Sequence, residues 1–323
     1  MIRLYLICLL LLSWMNYIHA KENILIARRK GKEFKVVFDS IKNEIQNDFN
    51  VHEYIIRHFN NYNNFVDKVI SKKIDLLVLM DNQAINYGKR LKFHKDPKIA
   101  KLNAVALMGL NINNVLKEEE YITGVNYEVP PFTIITSFRK LVKQPIKKVQ
   151  VFYRPSKFSN EANRAKLLLQ AEGINLELIN VEQNGKSLSY IIKFLKRNLR
   201  KKIVGSNSDA ILVLSDSVLL NQKSFLNDWI PASRSIKKPF LCGIESLTSI
   251  GINFCTFAAS PDHLELGEQV SQLIYSILEE KEKIQDLQIE QILSVEKTLN
   301  MKKINWMKMD MDHSSLNQIK VLR

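Results

Sequence analysis

Short apolar runs alternate along this chain with longer segments in which apolar residues recur every three or four positions. The apolar runs predict strands at 23–26, 51–56, 75–80, 104–109, 148–153, 176–181, 209–214 and 239–244. The periodic segments predict helices at 33–49, 65–73, 82–91, 132–142, 160–172, 187–199, 224–235 and 264–283. Continuously apolar strands that alternate with helices are typical of parallel sheets covered on both faces. Two such series predict an α/β chain with two doubly wound parallel-sheet lobes.

The first twenty residues have the pattern of a secretory signal peptide. Arg3 is followed by an apolar run over 4–14 and a more polar stretch that ends at Ala20. The run is too short for a spanning helix, which needs about 20 apolar residues. A buried N-terminal helix and an uncleaved anchor are the alternatives. We expect cleavage after Ala20 and an exported, extracytoplasmic chain, in the periplasm or its equivalent.

The chain is strongly basic, with 47 Lys and Arg against 33 Asp and Glu, and a formal net charge of +14. Such an excess is typical of proteins that bind nucleic acid, a membrane surface or an anionic ligand. Export argues against nucleic acid, and the basic stretch 186–202 has few aromatic residues on which bases would stack. We therefore predict that this charge lies on solvated helix faces or meets an anionic membrane surface.

Catalytic and cofactor motifs are missing from the sequence. It contains no phosphate-binding loop, no G-x-G-x-x-G after the first strand, no H-E-x-x-H, no G-x-S-x-G and no C-x-x-C. We predict a protein that is not an enzyme and has no cofactor or metal site. Cys242 and Cys255, the two cysteines after the leader, lie in apolar runs, and free buried thiols are favoured over a disulfide.

Four stretches resemble, in order and spacing, the ABC transporter substrate-binding protein family that includes tryptophan- and tyrosine-linked uptake proteins. They are ITGVNYEVP at 122–130, KKVQVFYRPS at 147–156 with Ser159 and Asn160 following, DAILVLSDS at 209–217, and SPDHLELG at 260–267. The corresponding family patterns are T-G-V-x-x-x-x-P, K-x-V-G-V-L-Y-N-P-S, D-A-I-Y-V-P-x-D-x and D-Y-x-x-L-G. The resemblance covers about half of the chain.

This resemblance implies a periplasmic binding protein of type I, in which crossing strands join two lobes that close on a ligand. The lobes are expected at 21–126 plus 262–290 and at 127–261 plus 291–323. The implied partners are a small-molecule ligand and the membrane permease of an ABC transporter, and the protein is expected to be a monomer. The alternative is a receptor of the same fold that passes a signal to a membrane sensor.

The first lobe departs from the family pattern. ARRKG at 27–31 replaces a turn that contains His-Pro, and DNQA at 81–84 replaces T-P-A-A. Ligand contacts in this lobe are therefore predicted from strand ends alone, because ligands of parallel sheets bind beyond the carboxyl ends of strands.

We predict a ligand site in the cleft between the lobes. Its residues are Asp81, Asn82, Gln83 and Asn111 from the first lobe, Tyr153, Arg154, Ser159, Asn160, Ser215, Asp216, Ser217 and Glu245 from the second, and Asp262 at a crossover. Arg154 and helix N-termini suit a ligand carboxylate, and Asp216, Glu245 or Asp262 suits an ammonium group. An amino acid or similar zwitterion fits this set. The alternative is that Asp81 and Asp216 merely cap the following helices.

Overall fold

The computed structural model describes residues 21–57, 62–183, 185–317 and 319–322. The predicted signal peptide lies outside the described residues. The first lobe is built from β1 (Asn23–Arg29), α1 (Lys32–Ile45), β2 (Asn50–Ile56), α2 (Tyr62–Ser71), β3 (Leu76–Met80), α3 (Asn82–Leu91), α4 (Pro97–Ala100), β4 (Asn103–Leu107), α5 (Ile112–Val115) and β5 (Ile122–Asn126).

The second lobe begins after β5. Its elements are α6 (Pro131–Arg139), β6 (Lys148–Tyr153), α7 (Pro155–Ala171), β7 (Asn175–Asn180), α8 (Leu188–Gly205), β8 (Ala210–Val213), α9 (Gln222–Ser224), a π-helical turn (Phe225–Trp229), α10 (Ile230–Ser235), β9 (Phe240–Cys242), a 3-10 turn (Glu245–Thr248) and β10 (Phe257–Pro261). The chain then continues through α11 (His263–Leu278), a 3-10 turn (Ile284–Asp286), β11 (Glu290–Gln291), β12 (Val295–Asn300), α12 (Met301–Met307), a 3-10 turn (His313–Leu316) and β13 (Lys320–Leu322).

Each lobe is organised around one sheet. In the first sheet the strand order is β11-β5-β4-β3-β1-β2, and every pairing is parallel. In the second sheet the order is β13-β12-β10-β9-β8-β6-β7, parallel except for the antiparallel pair β10 and β12. The predicted fold, α/β with two parallel-sheet lobes, is confirmed.

The central strands are buried because helices cover both faces of each sheet. All five residues of β3 are inaccessible to solvent, as their uninterrupted apolar sequence predicts. Separate apolar clusters fill the two sides of each sheet. None of the helices in the described part of the chain is long and apolar enough to cross a membrane.

The chain passes between the lobes more than once. It leaves the first sheet at the end of β5, and it leaves the second sheet at the end of β10 to form α11. Helix α11 packs against α1, where Ser40 Oγ donates to the carbonyl oxygen of Leu264 at 2.8 Å. Between β11 in the first sheet and β12 in the second, the chain crosses again. These crossings place the segments after β5 and β10 beside the cleft.

Several element boundaries differ from the predicted ones for local reasons. Helix α7 begins at Pro155, five residues earlier than predicted, because proline is well accommodated in a first helical turn, and it is kinked at Phe158. The helix predicted over 224–235 is divided by the π-helical turn just before Pro231. Proline lacks the N–H that a continuous helix uses.

The expectation for the cysteines is wrong. Cys242, on β9, and Cys255 form a disulfide inside the second lobe, with their Cα atoms 6.4 Å apart. Both residues are buried, as the apolar runs predicted. Their pairing depends on the return of the chain from β9 toward β10, which the local pattern does not reveal.

Candidate ligand-binding cleft

A cavity of about 610 Å³ lies between the lobes, at the carboxyl ends of strands from both sheets. The first lobe contributes the first turn of α1 and the segment after β4, and the second lobe contributes the segments after β8 and β9. The lining residues are Lys32, Glu33, Phe34, Met108, Leu110, Tyr127, Glu128, Ser215, Asp216, Ser217, Leu220, Gly243, Ile244, Glu245, Ser246, Ser260, His263 and Lys320. This is the position at which parallel-sheet proteins bind ligands.

The first lobe presents the N-terminus of α1 to the cavity. Gly31 precedes this 14-residue helix and provides no side-chain cap, while its carbonyl oxygen accepts the N–H of Lys35 at 3.1 Å. The N–H groups of a first helical turn have no partner within the helix and carry a partial positive charge. Together with the Lys32 ammonium group, this helix end makes the first-lobe wall favourable for an anionic group. Phe34 adds an aromatic surface beside it.

The second lobe presents Ser215, Asp216 and Ser217 after β8. The Asp216 side chain is inaccessible to solvent and accepts the Val218 N–H at 2.7 Å. Arg154 donates to the same carboxylate through Nε at 2.6 Å and Nη2 at 3.0 Å. Asp216 therefore holds the turn after β8 and forms a bidentate ion pair, while the following helix, α9, is capped by Asn221. Ser215 and Ser217 flank it on the wall of the cavity.

The crossing segments form the base of the cleft. Tyr127, just after β5, has its hydroxyl 2.8 Å from Nε2 of His263, at the start of α11. Burial, with a contribution from Glu33, raises the pKa of Tyr127, so its hydroxyl stays neutral. Ser260 is 4% exposed, and its Oγ has no hydrogen-bond partner among the described residues.

Glu128 follows Tyr127 and separates the cleft from a second cavity. Its Oε2 accepts the backbone N–H of Asn111 at 2.8 Å, which links a crossing segment to the first lobe. Asn111 adopts the left-handed conformation with φ of 57°, which an asparagine tolerates. Burial raises the pKa of Glu128 to about 7; Glu161 and Asp216 add to this effect, and the Asn111 hydrogen bond opposes it. This carboxyl group is thus poised to change its charge near neutral pH.

The second cavity measures about 440 Å³ and lies in the second lobe, among α6, α7 and the sheet. Its apolar lining includes Val129, Phe132, Ile134, Val151, Phe158, Ala162, Ala165, Leu168, Leu176 and Leu212. Its polar lining residues include Asn113, Asn114, Asn126 and Gln291 from the first lobe and Thr133, Asn160, Glu161 and Arg164 from the second. The two cavities share Glu128, Ser215 and Gly243 as lining residues.

The structure brings some of the predicted site residues together and disperses others. Ser215, Asp216, Ser217 and Glu245 line the cleft cavity, where Lys320 pairs with Glu245 at 2.6 Å. Asn160 lines the second cavity. For Asn111, the structure shows a main-chain hydrogen bond to Glu128.

The three remaining first-lobe residues stabilise the lobe itself. Asp81 caps α3 by accepting the N–H groups of Gln83 and Ala84, and it pairs with Arg29. Gln83 accepts a bond from Arg29 Nη2 at 3.4 Å. Asn82 exchanges two hydrogen bonds with the backbone of Leu110, which hold the segment after β4 in place.

Four more predicted residues make contacts within the protein. Arg154 is paired with Asp216 as described above. Tyr153 accepts the Val181 N–H through its carbonyl oxygen at 3.1 Å, and Ser159 Oγ lies 3.5 Å from Asn163 Nδ2. Asp262 caps α11 by accepting the N–H groups of Leu264 and Glu265. A ligand contact for these residues stays a prediction.

Several residues of the cleft were not predicted from the sequence. These are Lys32, Glu33, Phe34, Tyr127, Glu128, Ser260 and His263. A signal for the first three was available, because they lie at the start of the helix predicted over 33–49, which is the first helix after the first predicted strand. Tyr127 and Glu128 lie within the first family-like stretch, but the pattern leaves both positions unspecified. No group of three or more potential metal ligands occurs among the described residues.

The fold and the cleft define a two-lobed solute-binding protein of the periplasmic type. The chain belongs to the ABC transporter substrate-binding protein family, because the profile of that family matches residues 46–318. Members of this family bind small molecules outside the cytoplasm and deliver them to ABC permeases. None of the curated proteins matches the chain significantly.

Solved structures share the fold at low sequence identity. An ABC domain in complex with L-Trp from Streptococcus pneumoniae is 15% identical with a TM-score of 0.62, over 94% of this chain and 100% of that one. A ligand-free, open substrate-binding protein with adhesive properties from Clostridium difficile is 11% identical with a TM-score of 0.68, over 94% and 99% of the two chains. A conserved domain protein from Vibrio cholerae is 13% identical with a TM-score of 0.59, over 94% and 100%.

Proposed function

We propose that this protein is an extracytoplasmic solute-binding protein that closes its two lobes on an amino acid or a similar zwitterion or carboxylate, and presents it to an ABC permease. The observation that carries the proposal is the cleft cavity of about 610 Å³, which is lined by strand ends from both lobes. A ligand that contacts both walls favours the closed arrangement because it binds that arrangement more tightly.

The charges of the cleft support a zwitterionic ligand. The first turn of α1 and Lys32 suit a carboxylate, which the N–H groups of a helix end bind well. Glu128, at the base, suits an ammonium group. Ser260 Oγ supplies a further polar group that lacks a partner among the described residues. Opposite charges at separate places in one cavity fix the orientation of a small ligand.

Apolar residues of the cleft support a ligand with an apolar side chain. Phe34, Met108 and Leu110 lie on the first-lobe wall, and Leu220 and Ile244 lie on the second-lobe wall. A side chain between these surfaces would be removed from water as the lobes close, which favours closure. A simple sugar has only small C–H faces between its hydroxyl groups, so it would bury less of this apolar surface than an apolar side chain does.

The extracytoplasmic location rests on two supports. The 1–20 segment has the pattern of a signal peptide. The Cys242–Cys255 disulfide is of a kind that persists in oxidising compartments. Cell fractionation of the full chain tests the location, because a cytoplasmic protein with its first twenty residues intact would contradict it.

Calorimetric titration of the purified protein with the standard amino acids, small carboxylates and simple sugars tests the ligand class. We expect an amino acid or carboxylate to bind and small-angle X-ray scattering to show compaction on binding. Phe34→Ala should weaken binding at least tenfold, while the control Phe93→Ala, which removes a 79% exposed ring of the same lobe, should not. Binding of sugars alone, or binding without compaction, would contradict the proposal.

The delivery partner needs a separate experiment. We expect the ligand-loaded protein to stimulate ATP hydrolysis by its permease complex reconstituted in vesicles, and the ligand-free protein to do so less. Stimulation of a membrane sensor with no effect on any permease would instead support the receptor alternative.

A further inference from the structure

The 440 Å³ cavity lies beneath α7 in the second lobe and is open toward the first lobe, which contributes Asn113, Asn114, Asn126 and Gln291 to its lining. This space lies between α7 and its own sheet, so its walls come largely from one lobe. Its volume falls within the range of about 300–1,000 Å³ that is usual for small-molecule sites.

Two carboxylates face this otherwise mainly apolar space. Glu161 projects from α7, and its Oε2 is fully buried with no hydrogen-bond partner among the described residues. Glu128 lines the same cavity and receives one N–H from Asn111. A carboxylate in apolar surroundings is unfavourable unless a cation or several donors compensate for the lost water.

The described part of the chain supplies no basic partner to this pair. Among the described residues, neither Glu128 nor Glu161 forms an ion pair with a basic side chain. Arg154 is engaged by Asp216. Arg164 borders the cavity, but it is exposed and does not pair with Glu161.

We propose that the second-lobe cavity binds an amine with an apolar body, with its ammonium group between Glu128 and Glu161. An ammonium group has three donors and can satisfy both carboxylates at once. The apolar body would fill the space between α7 and the sheet, lined by Phe158, Ala165 and Leu212. This site adjoins the zwitterion site in the cleft and shares Glu128 with it, but its apolar walls come from α6, α7 and the second sheet.

Titration calorimetry at pH 8 with 2-phenylethylamine, 2-phenylethanol and 3-phenylpropionate tests the inference. These probes share an aromatic body and differ in charge. We expect the amine to bind at least tenfold more tightly than either other probe. Absence of amine binding, or equal binding of the amine and the alcohol, would overturn the inference.

Variants identify the site. Glu161→Gln should weaken amine binding at least tenfold, and Ala165→Leu, which fills the cavity, should abolish it. The control Glu172→Gln removes a carboxylate beyond the end of α7 that pairs with Arg139, and should leave amine binding unchanged. Amine affinity within twofold of wild type in folded Glu161→Gln would overturn the inference. If Ala165→Leu does not fold, the amine affinity of Glu161→Gln still tests the inference.

The two proposals fail in different ways. Phe34→Ala should impair the cleft ligand and spare the amine, whereas Ala165→Leu should do the reverse. If the cleft screen finds no ligand and the amine still binds, the proposed function fails and the second site stands.

Discussion

The guanidinium group of Arg154 and the carboxylate of Asp216 form a bidentate ion pair, with Nε–Oδ2 and Nη2–Oδ1 distances of 2.6 and 3.0 Å. Asp216 is fully enclosed, and the Arg154 side chain is 13% exposed. The pair joins the start of α7 to the segment after β8, so it fixes two loops at the mouth of the cleft. Removing one member of a buried ion pair is strongly destabilising, because the remaining charge is left without a partner.

We predict that Asp216→Asn lowers the free energy of unfolding by about 3 kcal/mol. Asparagine keeps an oxygen for the Val218 N–H, so the loss comes mainly from the ion pair. The double variant with Arg154→Met should lose less than the sum of the single variants, as urea denaturation can measure. Strict additivity would show that the pair is not coupled. If Arg154 also holds ligand, as the sequence suggested, the folded Arg154→Met variant should bind it less tightly.

Glu128 should make the stability of the ligand-free protein depend on pH. Burial raises its pKa from 4.5 to about 7, so the folded state binds a proton more tightly than the unfolded state. The contribution of the Glu128 carboxyl group to the free energy of unfolding is fully present below pH 4.5. It falls by about 3 kcal/mol as the pH rises to about 7. The charged or titratable groups lining the two cavities around it are Lys32, Glu33, Tyr127, Glu161, Arg164, Asp216, Glu245, His263 and Lys320.

Glu128→Gln should therefore stabilise the protein at pH 8 and have little effect at pH 4. The amide oxygen still accepts the Asn111 N–H, so the comparison isolates the charge. Chemical denaturation at the two pH values measures the difference. An equal effect of the substitution at both pH values would show that the Glu128 carboxyl does not titrate in this range.

Lys303 should have the opposite pH dependence. It is 3% exposed, its Nζ donates to the Ser233 carbonyl oxygen at 2.8 Å, and burial, together with Arg234, lowers its pKa to about 8. The unfolded state then binds more protons, so stability rises between about pH 8 and 10.5, by about 3 kcal/mol. Lys303→Met should remove this rise, with Lys302→Met as the control. A rise that persists in Lys303→Met would assign it to another group.

The disulfide gives a prediction that does not depend on ligand. Cys242 and Cys255 are 13 residues apart, and closing a loop of this size stabilises a fold by about 3 kcal/mol in the chain-entropy estimate. Replacing both with alanine should lower the urea midpoint accordingly. Denatured, unreduced protein without residues 1–20 should contain no titratable thiol. Two titratable thiols per chain would show that Cys242 and Cys255 are free, as the sequence predicted.

Local sequence was sufficient for strands β1–β4 and β6–β9 and for the longer helices because their signals are local, whereas β5, β10 and β12 were not predicted as strands. The all-apolar 76–80 segment identified β3, and the spacing of apolar residues identified α1 and α11. Edge strands were harder to identify: β11 has only two residues, and β13 has three. Such short segments have no periodicity to read, and their pairing depends on a distant strand.

The candidate site was predicted only in part. Whether a residue lines the cleft depends on which loops lie beside one another in the folded protein. Ser215 and Asp216 were found, since they follow a clear strand. Asp81 follows an equally clear strand, yet in the structure it caps α3. Local sequence cannot separate these outcomes, because capping and ligand binding use the same oxygen atoms.

By itself, the sequence determined the α/β architecture, the division into two lobes and the position of the cleft at the strand ends. Only the tertiary structure brought Phe34, Glu128 and His263 to one cavity and placed Glu128 and Glu161 together in the lining of the second. The physical reason is the distance along the chain over which each effect acts. Periodicity and capping act within about one element, whereas burial, ion pairing and a shifted pKa arise from residues that are far apart in the chain and meet only after folding.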